Sequence, residues 1–341
     1  MLRFIVSDQT NPYWNIAVEN YLVESADCIT LYLWRNHRTV VIGQNQNPYS
    51  ELDVEALEAD GGYLMRRKTG GGAVYHDDGN LNFSFVVPKA LYDQQRQFRV
   101  IQRAVESFGL RTELSGRNDI LVDSGEWGVD SSRGQVLSTT HYPLPTYRKF
   151  SGNAFSKGSR NDLHHGTLLI CGDMTDLARY LKPKPAKLQK HGVASVRSRV
   201  VNLAELNPAI TTESIVPVLR ESFEAEYSDR SEYSEYSELI KTPRVKELHD
   251  HFASDEWKYG RWRTFSAQHS AQFGWGGVEL ALTVDDGVIT DVQLASDALD
   301  LAALDQARRL LTGADTEKRP PSSESAIVND ILSLVYFDTS F

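Results

Sequence analysis

Cysteine is nearly absent: Cys28 and Cys171 are the two thiols in 341 residues. That argues against a disulfide framework and against a zinc site built on thiolates, and it fits a reducing, cytoplasmic setting. No stretch approaches the ~20 consecutive apolar residues that a membrane-crossing helix needs. The opening run, MLRFIVSDQTNPYWN, holds one arginine and a short apolar segment, and reads as an edge strand rather than a signal or transit peptide. Positive charge is in deficit, 36 Lys and Arg against 46 Asp and Glu, for a net charge of −10. Nucleic-acid binding rests on phosphate neutralisation, so a nucleic-acid partner is not expected, although a local basic pocket for a small anion stays open. No membrane partner is expected either. With 41% hydrophobic and 24% charged residues the composition is globular, and the length suits two domains of ~100–200 residues.

What is present up to about residue 227 is an alternation of strand-like and helix-like segments. Leu2–Val6 is strand-like, and Asn11-Pro12 opens a helix in which Tyr13, Ala17, Tyr21 and Trp14, Val18, Leu22 form two apolar rows. Segments 29–35 and 39–43 are rich in β-branched and aromatic residues, 54–59 is helical, and 63–67, 73–76 and 81–87 read as strands around a glycine turn. Phe98, Ile101, Val105 and Phe108 mark one helix face. Strand patterns return at 120–122, 148–155 and 166–170, and helices near 176–181 and 213–226. Residues 123–147 show no period and read as a long surface loop. The low-complexity stretch 228–239 (SDRSEYSEYSEL) reads as a boundary, giving domains 1–240 and 241–341. Beyond it, 275–284 and 287–295 form a hairpin around 285–287, and helices near 299–311 and 325–335 complete a small α+β unit.

Five segments bear on chemistry. The first is 66–77, RRKTGGGAVYHD. Three consecutive glycines weaken a strand, and what they permit is close approach of backbone N–H groups to a ligand; the three cations just upstream suggest an anionic one. The spacing is neither that of a P-loop nor that of a dinucleotide fingerprint, and a mobile hairpin with solvated charges is the competing reading. The second is 149–154, KFSGNA, whose lysine is either a gatekeeper on an edge strand or a pocket cation. In the third, 115–120, Asp119 is either a turn residue or an oxygen ligand for Mg²⁺. In the fourth, adjacent His164 and His165 on a strand point to opposite faces, so they do not share a metal; one packs or hydrogen-bonds near the pocket. Cys171, just beyond, reads as a buried core thiol. The fifth, 192–203, follows a lysine-rich stretch at 182–190 and is either a solvated loop or a flap over a nucleotide.

Taken together and in chain order, 11–17 (NPYWNIA), 34–36 (WRN), 41–47 (VIGQNQN), 66–85, GRNDI, KFSGNA, HHGTLL and SVRSRVVNL resemble the lipoate–protein ligase A family of the biotin/lipoate ligase superfamily. The resemblance covers nearly all of 1–227, and 275–280 is similar to the accessory C-terminal domain of those ligases. The loop at 123–147 is longer than the connection usual there. The resemblance implies an α+β fold: a large mixed-sheet catalytic domain plus a small α+β accessory domain. It implies activation of lipoate by ATP to lipoyl-AMP and transfer to a lysine of acceptor lipoyl domains, on 2-oxoacid dehydrogenase acyltransferase subunits and the glycine cleavage H protein. By the same match Lys149 would be the catalytic cation between carboxylate and α-phosphate. Arg67 would bind phosphate or nucleotide; Gly72, Ala73, Val74 and Tyr75 would line the nucleotide pocket; Gly71 would admit the lipoyl tail. Asp119 would hold Mg²⁺, and Gly192, Val193, Ala194 and Ser195 would belong to a flap that shields the adenylate. Three rivals remain: an octanoyl or lipoyl transferase with a cysteine nucleophile, for which Cys171 is the better placed; an amidotransferase unable to activate free acid; and a non-enzymatic carrier.

Overall fold

The structure is a computed structural model, and it describes residues 1–116, 118–125, 129–130, 135–136, 147–182, 200–259, 267–285, 287–316 and 318–336. The long loop and the flap expected at 192–195 fall largely or wholly outside these residues. Within them, no helix is long and apolar enough to cross a membrane.

The β-branched and aromatic runs pair into an eight-stranded mixed sheet. Its order is Ser231–Tyr233, Leu2–Val6, Ile29–Trp34, Asn80–Pro88, Asn161–Leu169, Tyr147–Lys157, Asp119–Asp123 and Thr112–Leu114. The first three strands run parallel and each later pairing is antiparallel. Strand alternation sorts the side chains onto two faces. Leu31, Leu33, Phe83 and Phe85 join Phe98, Ile101, Leu219 and Phe223 of the helices Gln94–Glu106 and Ile215–Tyr227 in one core. Tyr32, Trp34, Val86 and Leu163 face the other way, against the helix Pro12–Ser25. That helix starts where the sequence indicates: the Asn11 side chain accepts from the N–H groups of Tyr13 and Trp14, and Pro12 occupies the first turn.

A smaller sheet, with Thr39–Ile42 between Tyr63–Arg66 and Val74–His76, adds Val41 and Met65 to the second core. Its other face buries Val40, Ile42, Leu64 and Tyr75 with Leu57 and Tyr180. The C-terminal unit is an antiparallel meander, Ala267–Phe273, Gly276–Asp285 and Val288–Ser296, packed on the helices Leu301–Leu311 and Ala326–Val335 around its own core.

The stretch 228–239 is not a linker. Ser231–Tyr233 is the edge strand beside Leu2–Val6. Tyr236 is fully buried, stacks on Tyr32 with ring centroids 6.2 Å apart, and donates its hydroxyl to Asn15 Oδ1 at 3.2 Å. The next helix, Pro243–Ala253, adds Val245, Leu248 and Phe252 to the same core. Residues just past 240 therefore pack with the large unit, and the strands of the small core begin at Ala267. Composition misleads here because a tyrosine carries a large apolar ring as well as its hydroxyl.

Candidate active site

A cavity of about 280 Å³ opens between the helix Pro12–Ser25, the small sheet and the strand Tyr147–Lys157. Ile16, Trp34, Val41, Met65 and Val74 give it an apolar wall, and Lys149, Asn118 and Asn153 a polar one. Lys149 reaches it through a local irregularity. The pairing of Tyr147–Lys157 with Asp119–Asp123 shifts register between Lys149 and Ser151. One extra residue in a strand reverses the alternation beyond it. Lys149, Gly152 and Ala154 consequently all line the cavity, while Phe150 and Phe155 pack in the core behind. The ammonium lies over Gly152, where a Cβ would come within 3.0 Å of Nζ. It pairs with Asp119 Oδ1 at 2.7 Å. Behind it, Asn118 and Asn153 exchange side-chain-to-backbone hydrogen bonds of 2.7 and 2.9 Å, which tie the two strands together.

The glycine turn lines the same cavity, and it is packed against more than ligand space. Gly71 has φ of +96° and donates its N–H to the Ala298 carbonyl of the C-terminal unit at 3.2 Å. A Cβ on Gly70 would lie 2.2 Å from the same oxygen, whereas one on Gly72 would meet nothing within 4 Å. The glycines at 70 and 71 thus admit a neighbouring domain, and the side of the Gly72 Cα where a Cβ would sit faces open space. Ser296 N–H donates to Asn45 O at 2.9 Å on the same seam, and Asp297 lines the cavity itself.

The cations ahead of the turn are spent largely on the fold. Arg66 donates to the carbonyls of Gly43, Gln44 and Gln46 at 3.3, 3.0 and 2.6 Å. It also donates to the carbonyls of Trp257 and Lys258, and so clamps the 43–46 loop to the helix Asp255–Tyr259. Arg67 lines the cavity, but its guanidinium donates to Thr69 Oγ1 at 3.0 Å, Gly70 O at 2.7 Å and Gly72 O at 2.9 Å. Burial lowers both guanidinium pKa values to about 10. Lys68 lies over the Phe252 ring, 5.4 Å from its centroid. Two of the three cations thus hold the turn and its neighbouring loop through backbone carbonyls, and Arg67 does so from the wall of the cavity.

Of the other expected residues, Gly71, Gly72, Ala73 and Val74 line the cavity with Arg67 and Lys149. Tyr75 does not; its ring packs on Tyr180 and its hydroxyl donates to Asp176 Oδ2 at 3.1 Å. Burial pushes that hydroxyl well above its ordinary pKa. Gly192, Val193, Ala194 and Ser195 lie outside the described residues. The two histidines do point to opposite faces: His164 is buried among Phe83, Phe98 and Phe155, and His165 lines the cavity. Burial holds His164 well below the ordinary histidine range, so it is neutral. Trp34, Asn118 and Asn153 sit inside motifs that the sequence singles out, although alternation alone does not aim them here. Asp297 carried no signal at all.

Neither cysteine lines the cavity. Cys28 is buried, but Cys171 is exposed and is not the core thiol its apolar neighbours suggest, because the strand ends two residues before it. Desolvation raises the pKa of both thiols, and the Asp77 carboxylate adds to the effect at Cys171, so thiolate is scarce. If the chain activates its acyl group as a phosphate anhydride, as the resemblance implies, Cys28→Ser combined with Cys171→Ser is expected to keep turnover within about twofold, because no thioester is then needed. Steady-state acceptor modification by the double variant checks this, and its loss in a folded protein would move the chain to a cysteine-dependent transferase.

Known proteins are similar to this chain in sequence and in fold. The family model for the lipoyl protein ligase A/B catalytic domain matches residues 11–224, and that for the bacterial lipoate protein ligase C-terminus matches 263–320. The chain is 36% identical over 326 residues to the lipoate-protein ligase A of Psychrobacter cryohalolentis, covering 93% of this chain and 89% of that protein. Its fold is similar to that of P. falciparum LipL1 in complex with lipoate, with TM-score 0.80, 27% identity and 98% of each chain covered. It is also similar to a lipoate-protein ligase A bound with ATP, with TM-score 0.59 and 25% identity over 76% of this chain and 98% of that one.

Proposed function

This chain belongs to the lipoate–protein ligase A family, and we propose that it makes lipoyl-AMP from lipoate and ATP and passes the lipoyl group to a lysine of acceptor lipoyl domains in the cytoplasm. The observation that carries this reading is the position of Lys149: among the described residues its ammonium lines a cavity that Ile16, Trp34, Val41, Met65 and Val74 line with apolar side chains. The lipoyl tail takes the apolar side, between Trp34, Met65 and Val74. Its carboxylate then meets Lys149.

Bringing a carboxylate to an α-phosphate forces two anions together. Lys149 between them lowers the repulsion and stabilises the charge that grows in the transition state. The open side of the Gly72 Cα is the part of the turn available to the nucleotide, with Ala73 and Val74 beside it. In this reading Arg67 acts by holding the turn rather than as a free phosphate ligand.

Among the described residues no three His, Cys, Asp or Glu side chains gather as a metal site. Mg²⁺ bound mainly through nucleotide phosphates needs only one or two protein carboxylates, and Asp119 beside Lys149 fits that donor set. When bound, the ion would neutralise phosphate charge. The acceptors we infer are the lipoyl domains of 2-oxoacid dehydrogenase acyltransferase subunits and the glycine cleavage H protein.

Lipoate-dependent ATP–pyrophosphate exchange by the purified chain tests the reading. A ligase returns label from pyrophosphate to ATP only when lipoate is present. No exchange, with lipoyl transfer from a thioester or protein donor intact, would assign the chain to the transferases.

A further inference from the structure

Between the first helix and the glycine turn runs a continuous line of buried polar groups that the proposed chemistry does not use. Glu19 is 1% exposed and Thr69 0%. Glu19 Oε1 accepts from Ser84 Oγ at 2.6 Å and lies 2.8 Å from His165 Nδ1. His165 Nε2 lies 2.8 Å from Thr69 Oγ1, which accepts from Arg67 Nε at 3.0 Å. Arg67 then grips the carbonyls of Gly70 and Gly72.

Each link has a direction. A carboxylate only accepts, so Nδ1 of His165 carries the proton. In a neutral imidazole Nε2 is then an acceptor, and the Thr69 hydroxyl donates to it. That leaves a lone pair of Thr69 for the Arg67 N–H. With the imidazole neutral, each of these groups has its partner in this arrangement, and a missing member would strand its neighbours. The end of the line is a three-glycine turn with much backbone freedom to lose. Gripping two of its carbonyls fixes the 70–71 and 72–73 peptide planes, on either side of the 71–72 peptide, and Gly71 and Gly72 line the cavity.

We propose that Glu19 and Thr69 are positioning residues: through His165 and Arg67 they hold the glycine turn in the conformation that binds the acid substrate. This rests on the reading of the cavity as the lipoate site. Glu19 sets the proton on Nδ1 of His165, and Thr69 passes that polarity to the arginine that grips the turn.

Two measurements on the full chain test it. In ¹⁵N-histidine-labelled protein, with the His165 signals assigned by their loss in His165→Gln, long-range ¹H–¹⁵N correlation reads the tautomer; the Nδ1–H form is expected. Thr69→Val removes both hydrogen bonds in nearly the same volume, and Thr69→Ser keeps them. Lipoate binding by calorimetry is expected to weaken about tenfold in the valine variant and to stay within about threefold in the serine variant, with kcat at saturating lipoate within about threefold in both. An Nε2–H tautomer, or equal affinities for the two variants, overturns the inference. Absence of lipoate binding by the parent protein overturns instead the assignment of the cavity, and the tautomer separates the two failures.

Discussion

Lys149→Ala is expected to lower lipoate-dependent ATP–pyrophosphate exchange by about 10²–10³, with little change in melting temperature. The rate effect follows from losing one preorganised cation where two anions meet, worth on the order of 3–4 kcal/mol in the transition state. The small stability effect follows from exposure. The Lys149–Asp119 pair is 2.7 Å long, but its side chains are 35% and 31% exposed, and such pairs contribute ~0–1 kcal/mol. Lys149→Arg is expected to be poor as well. Its ammonium lies over Gly152 with little room above that Cα, and a planar fork does not replace a point charge there. Exchange kinetics and thermal melts on both variants check the expectation. Near-parental exchange by either one would remove Lys149 from the chemistry.

The second large effect is expected at Gly70. An added Cβ would lie 2.2 Å from the Ala298 carbonyl oxygen and 3.0 Å from Leu299 Cα. Both are backbone atoms of the C-terminal unit, so no side-chain rotation relieves the clash. Either the turn or the small unit must move, and the Gly71 N–H to Ala298 hydrogen bond goes with it. Overpacking of this kind costs about 1–3 kcal/mol. Gly70→Ala is therefore expected to release the small unit from the turn, seen as a larger radius of gyration in X-ray scattering. On the proposed reading, in which the docked small unit orders the turn for activation, adenylate formation should fall by about tenfold or more, with transfer from supplied lipoyl-AMP largely retained. Gly72→Ala is the internal control: its Cβ meets nothing within 4 Å, and parental scattering is expected. Matching behaviour of the two alanine variants would mean that this seam has no role in activation.

The element pattern was legible because it is local. Asn11-Pro12 starts a helix by its own capping geometry, and period-two runs make strands wherever one face is buried. The low-complexity stretch failed for the opposite reason. Whether Tyr236 is a linker residue or a core residue depends on Tyr32 and Asn15, about two hundred positions away in the chain.

By itself the sequence determined the class of the molecule. It carried the ordered motifs of the ligase family, the strands and helices that bear them, and the candidate lysine, glycine turn and aspartate. Only the tertiary structure decided what those residues do next to one another. A register shift put Lys149 on the same face as Gly152 and Ala154, where strict alternation would separate them. Arg66 and Arg67, which read as free cations for a ligand, were tied to backbone carbonyls, Arg67 from the cavity wall. Asp297 came to the cavity from a different domain. The physical reason is common to all three. Composition and period record what each residue prefers, whereas the partner that satisfies a buried charge, a bulged strand or a glycine's open side is chosen by chain segments far away in sequence.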